Sequence, residues 1–197
     1  SVIQIPFEMT VSYGTGTSMG PSAALEASSQ VEAYSDYLGD ELPAGMNIRT
    51  LDAWGFEGPT LISHLESIQD HIEHGITHGE FPIILGGEHG LLLPALKACV
   101  SKGILESLHD LTLVQVDAHA DLRDELNGER FSHGTVVRRC LDEGLGRAIQ
   151  IGIRAYSLEE ARMIESDDRI SAWRAREIRE DETAILSILN CLSDING

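Results

Sequence analysis

Apolar residues at Leu61, Leu65, Ile68, Ile72 and Ile76 recur at steps of four, three, four and four. That spacing lays them along one face of an α-helix leaning on a core. Segments of another kind lie on either side: residues 81–85, 111–116 and 148–153 are brief, apolar and rich in β-branched side chains, the pattern of strands buried in a parallel sheet. A further strand is expected within residues 1–11. Weaker helical patterns cover residues 21–38, 91–102, 135–145 and 180–192. Short apolar runs alternating with longer helical ones predict an α/β fold with a parallel sheet.

Composition narrows this picture. A chain of 197 residues fits one domain over 1–197, and 42% apolar residues suffice for a sizeable core. The formal charge of -18, from 32 acidic and 14 basic side chains, repels nucleic-acid phosphates and anionic membrane surfaces. The same charge keeps a protein soluble and would also draw in a small cationic substrate. Cys99, Cys140 and Cys191 are odd in number and form no CxxC pair, so they read as core thiols in a reducing cytoplasm. No stretch approaches the roughly 18 apolar residues of a membrane helix, so a cytoplasmic protein is expected.

Ligands of open α/β sheets collect outside the carboxyl ends of the strands, and two of the predicted strands end in unusual chemistry. After residues 81–85 comes Gly86-Gly87-Glu88-His89-Gly90, where paired glycines allow a tight turn and leave His89 at the strand mouth. A lone histidine there also fits a buried or turn residue, so His89 by itself decides nothing. After residues 111–116 comes Asp117-Ala118-His119-Ala120-Asp121, with ligand-type side chains at alternate positions that an extended backbone would direct to one side. Two carboxylates and an imidazole following buried strand residues need a compensating positive charge, and carboxylate with imidazole suits Mn²⁺ better than a thiolate site would. Ser132-His133-Gly134 adds an imidazole placed for proton transfer rather than coordination. Arg123, Asp124 and Glu125 read as an ion-paired loop that orients the ligands. His64, His71, His74, His78 and His109, on or beside helical segments, are expected to be solvated. Gly14-Thr15-Gly16-Thr17-Ser18-Met19-Gly20 departs by one residue from a dinucleotide fingerprint. It reads as a turn and helix start with Pro21 near the first helical position.

These motifs resemble those of the ureohydrolase family of arginases and agmatinases. Gly86 to Gly90 is similar to the first metal motif, Asp117 to Asp121 to the second, and Ser132-His133-Gly134 to the family's histidine-glycine segment. Supporting likeness lies in Gly16 to Ser28 and in Gln150-Ile151-Gly152-Ile153-Arg154, so it covers most of the chain between Gly14 and Arg154. Asp121-Leu122-Arg123-Asp124-Glu125 looks more like agmatinases than arginases. The resemblance implies a three-layer α-β-α fold with a mostly parallel central sheet and two Mn²⁺ ions. His89 would bind one ion and His119 the other, with Asp117 bridging, Asp121 completing the nearer shell and His133 shuttling a proton. It further implies hydrolysis of the guanidinium group of agmatine to putrescine and urea, and assembly as a trimer or hexamer.

The family also has a third motif, a strand ending in two more metal-binding aspartates, and the sequence is expected to stop at Cys191 to Gly197, where that strand would begin. Gly90 stands where the family usually carries serine. Three readings therefore stay open: an agmatinase-like hydrolase, a non-catalytic binding or structural subunit, and a hydrolase of another guanidino or formimino compound.

Overall fold

The computed structural model describes residues 1–43 and 45–195, which form two compact units, Ser1–Ile104 and Leu105–Gly197. The expected start of a third motif falls partly on Asn196 and Gly197, outside the described residues; Cys191 to Ser193 belong to a helix.

The first unit opens with strand β1 (Val2–Ile5), whose Ile3 and Ile5 are fully buried while their neighbours are half-exposed. Helix α1 (Gly20–Ser28) follows, with Pro21 in its first turn, where the missing N–H costs nothing. The helix expected over residues 21–38 ends there. Strands β2 (Tyr34–Ser35) and β3 (Asp40–Glu41) form a small antiparallel hairpin instead, turning near Gly39 at φ +65°. Val31 and Leu38, which extended the apparent helical pattern, are exposed.

Helix α2 (Leu61–Gly75) is the helix read from the four-three-four-four spacing. Thr60 caps it by accepting the Ser63 N–H, and Leu65, Ile68 and Ile72 form its buried stripe, continued by Ile76. Strand β4 (Ile83–Gly86) pairs in parallel with β1, Val2 opposite Ile83 and Ile5 opposite Gly86. Helix α3 (Leu92–Ser101) packs against α2.

In the second unit, β5 (Thr112–Val116), β6 (Arg147–Ile153) and β7 (Ile170–Arg174) form a parallel sheet in that order. Helix α4 (Val136–Asp142) joins β5 to β6, and α5 (Leu158–Ser166) joins β6 to β7. Helices α6 (Ala175–Glu180) and α7 (Glu182–Ser193) complete the unit. Ala148, Ile149 and Ile153 of β6 and Val137, Cys140 and Leu141 of α4 supply much of its core. Cys99 and Cys140 are buried thiols outside any disulfide and Cys191 is half-buried; burial pushes the Cys99 thiol above its ordinary value. Among the described residues, no helix is long and apolar enough to cross a membrane.

Candidate metal centre

In the first unit the turn carrying His89 is fixed by backbone contacts. Gly87 donates to the Ile5 carbonyl and Glu88 to the Phe7 carbonyl, each at 3.0 Å. A β-carbon at Gly87 would overlap the Phe7 carbonyl oxygen, so glycine is required here by close approach rather than by φ. The Glu88 carboxylate, 5% exposed, accepts the Met9 N–H at 3.1 Å and the Thr10 N–H and hydroxyl at 2.9 Å each. His89 then opens a 3-10 turn (His89–Leu91) and is half-buried.

A second carboxylate, Glu8, ties down the chain that leads into α1. It accepts the Gly16 N–H at 2.8 Å and the Ser18 N–H at 2.9 Å, with the Ser18 hydroxyl at 3.0 Å. Backbone N–H groups of Ser18 and Gly16 hold its pKa down to about 2 from an ordinary 4.5. Neither Glu8 nor Glu88 stands out in the sequence. The available signal was their place beside segments rich in glycine, serine and threonine, whose free N–H groups need acceptors.

In the second unit, pairing of β5 with β6 continues past Val116. Asp117 donates to the Ile151 carbonyl at 3.1 Å, and the Ala118 carbonyl accepts the N–H groups of Arg154 and Ala155 at 2.8 and 3.0 Å. Gly152 makes this possible: the register of β6 against β7 shifts there, its φ is +93°, and a β-carbon would lie 3.3 Å from the Asp117 carbonyl oxygen. A side chain at Gly152 would be both strained and crowded.

The extended backbone assumed for Asp117 to Asp121 does not run its full length. Asp121 has φ +53°, in the left-handed region that aspartate tolerates better than most residues. This turn brings Asp121, 5% exposed, back toward Asp117, so that carboxylate oxygens of the two lie within 4.8 Å of one another. His119 stands further into solvent: its side chain is 63% exposed, with Nδ1 3.5 Å from Asp117 Oδ1. The His119 backbone N–H donates to that same oxygen at 2.9 Å.

Two buried amides back the aspartates. Gln115 Nε2 lies 3.2 Å from Asp121 Oδ2, 3.4 Å from Asp117 Oδ2 and 3.3 Å from the His119 carbonyl. Gln150, fully buried in β6, donates to Gln115 Oε1 and to the Ala120 carbonyl, both at 2.7 Å. Both glutamines escaped notice as site residues because within a strand they read as interruptions of an apolar run.

The loop beyond is ion-paired. Asp124 accepts from Arg139 at 2.8 Å and Arg130 at 3.2 Å, and its hydrogen bond from Arg139 lowers its carboxyl pKa. Arg139, 4% exposed, also meets Asp142 at 3.0 Å. Arg123 lies 3.6 Å from buried Glu160, whose carboxylate accepts the Leu122 N–H at 3.1 Å and the Ser157 N–H at 2.6 Å. The residue after Asp121 is thereby fastened to the first turn of α5.

His133 is half-buried in a turn organised by Thr135, whose hydroxyl accepts the Ser132 N–H at 2.9 Å and approaches the Arg130 carbonyl at 2.8 Å. A β-carbon at Gly134 would crowd Leu126. Of the other histidines, His109 is exposed, as expected. His71 is not solvated: its Nε2 is buried with no partner among the described residues, and burial lowers its pKa. His64 rests edge-on against Trp54 and Phe56.

Two convergent carboxylates reinforced by amide donors form a hard oxygen donor set, suited to a divalent cation rather than to a soft metal. The comparisons with known proteins agree in kind. Residues 1–194 match the model of the arginase family. The chain belongs to the arginase family. It is 36% identical over 184 residues to an N(1)-aminopropylagmatine ureohydrolase of Synechocystis sp., covering 91% of this chain and 58% of that protein. An agmatinase of Bacillus anthracis is 35% identical over 159 residues, covering 79% of this chain and 52% of the relative. The chain thus spans little more than half the length of these relatives. The structure of the agmatine ureohydrolase of Thermoplasma volcanium matches with a TM-score of 0.79 at 27% identity, over 99% of this chain and 62% of that one. The arginase-like α/β fold expected from the sequence is the fold of this chain.

Proposed function

We propose that this arginase-family chain carries metal ligands of a manganese-dependent hydrolase that cleaves the guanidinium group of agmatine, giving putrescine and urea. The observation that carries this reading is the convergence of Asp117 and Asp121, built by the left-handed turn at Asp121. His89, Asp117, His119 and Asp121 are the proposed ligands. These residues would hold the ions, whose chemistry when bound would be to supply a water acidic enough to ionise near neutral pH.

The chain's own contributions are orientation, proton handling and charge. Gln115 and the His119 N–H direct the carboxylates, and His133 supplies the proton to the departing amine. The net charge of -18 favours approach of a cationic substrate. N(1)-aminopropylagmatine is the second substrate to test, since the Synechocystis relative is named for it.

The test uses the full-length protein loaded with Mn²⁺ and dialysed, with Asp117→Ala beside it. Metal content is read by mass spectrometry, and urea release is read from both substrates. The proposal expects about two ions per chain, lost with Asp117→Ala, and urea from agmatine. A protein that retains no Mn²⁺, or retains it and releases no urea from either substrate, overturns the reading.

A further inference from the structure

We propose that Gln115, its amide orientation fixed by Gln150, is a positioning residue for the Asp117 and Asp121 carboxylates. The inference rests on the metal reading above and concerns residues of the second unit alone.

The orientation of the two amides follows from the acceptors around them. The Ala120 carbonyl, 2.7 Å from Gln150 Nε2, accepts hydrogen bonds and cannot donate. The Gln150 amino group must therefore face it, and its second hydrogen points at Gln115 Oε1. Gln115 then has its amino group toward Asp117, Asp121 and the His119 carbonyl. Reversing Gln115 would set its oxygen against two carboxylates and a carbonyl. Reversing Gln150 would set oxygen against oxygen at Ala120. The arrangement is adopted although it leaves Gln150 Oε1 buried with no partner among the described residues, a state proteins ordinarily avoid. The Ala120 carbonyl at one end and the two carboxylates at the other thus require the same direction of the relay.

The chemical consequence is specific. Gln115 places a hydrogen-bond donor against Oδ2 of both aspartates, easing the repulsion between two like charges held close together and limiting rotation of each carboxylate about its last bond. A cation then meets preset oxygens rather than ordering them itself.

Two measurements on the full-length protein test this. In metal-free wild type, side-chain amide hydrogen exchange followed by NMR should show the Gln115 NH₂ slowed relative to exposed Gln30. Gln150→Leu should release that protection. Second, Gln115→Leu should weaken Mn²⁺ affinity, read by equilibrium dialysis and by the Mn²⁺ EPR signal, about 10- to 100-fold. Gln150→Leu should weaken it in the same direction by less. Thermal melting of the metal-free variants separates packing from positioning. A lowered Tm with affinity equal to wild type in both variants overturns the proposal, as does a Gln115 amide that exchanges as fast as that of Gln30. Loss of all Mn²⁺ binding by wild type would instead overturn the metal reading, and the positioning role with it.

Discussion

Glu88 and Thr10 are joined twice, the carboxylate accepting both the Thr10 backbone N–H and its hydroxyl at 2.9 Å. Because Glu88 precedes His89, this pair sets where the imidazole's turn begins. Glu88→Ala would leave the N–H groups of Met9 and Thr10 without their acceptor in a partly buried setting. It should cost about 2 kcal/mol of stability, measured by urea unfolding; a loss below about 0.5 kcal/mol would show that water replaces the carboxylate.

Gly87 allows no side chain. Its missing β-carbon would fall on the Phe7 carbonyl oxygen, which belongs to the backbone and cannot rotate away. Gly87→Ala should therefore destabilise by about 3 kcal/mol, whereas Gly45→Ala, with nothing near its β-carbon but φ +81°, reports backbone strain alone. Comparing their melting curves isolates the steric effect.

Glu8 gives a pH signature. Its folded pKa of about 2 lies below the ordinary 4.5, so it contributes stability that is complete above about pH 4.5 and is lost as pH falls from there through about 2. Melting temperatures of wild type and Glu8→Gln should differ at neutral pH and converge over that interval. A gap that stays constant down to pH 2 would mean that the carboxylate is not what ties Gly16 and Ser18.

Glu160 fastens the segment after Asp121 to α5. Glu160→Ala strands the Leu122 and Ser157 N–H groups together and should cost about 3 kcal/mol, while Ser157→Ala removes the cap alone and should cost about 1 kcal/mol. Chemical unfolding of the two variants provides the ratio. Equal losses would mean that the Leu122 contact adds nothing.

The elements legible in the sequence were those whose burial is apolar. Spacing alone located α2, and the three apolar runs located β4, β5 and β6 to within two residues. Helix α5 was invisible because its burial is inverted: Leu158 is 67% exposed while Glu160 is buried, held by hydrogen bonds rather than by hydrophobicity. Strand β7 is half-buried along most of its length and shows no clear alternation. Residues 21–38 carry a helical period, yet the helix ends at Ser28 because Val31 and Leu38 lie on the surface and bury nothing that would extend it. At the candidate centre, Asp117, His119 and Asp121 were legible as donors. The turn that unites the two aspartates was not, since aspartate in a left-handed conformation leaves no periodic trace.

That conformation bears on how the centre is interrogated. At φ +53°, alanine at position 121 removes a carboxylate and also imposes a backbone angle that its β-carbon resists, so one substitution mixes two losses. Asparagine accepts the same angle and removes only the charge. The difference between Asp121→Ala and Asp121→Gly, both without a carboxylate but only one with a β-carbon, thus measures the turn, and Asp121→Asn alone measures the charge.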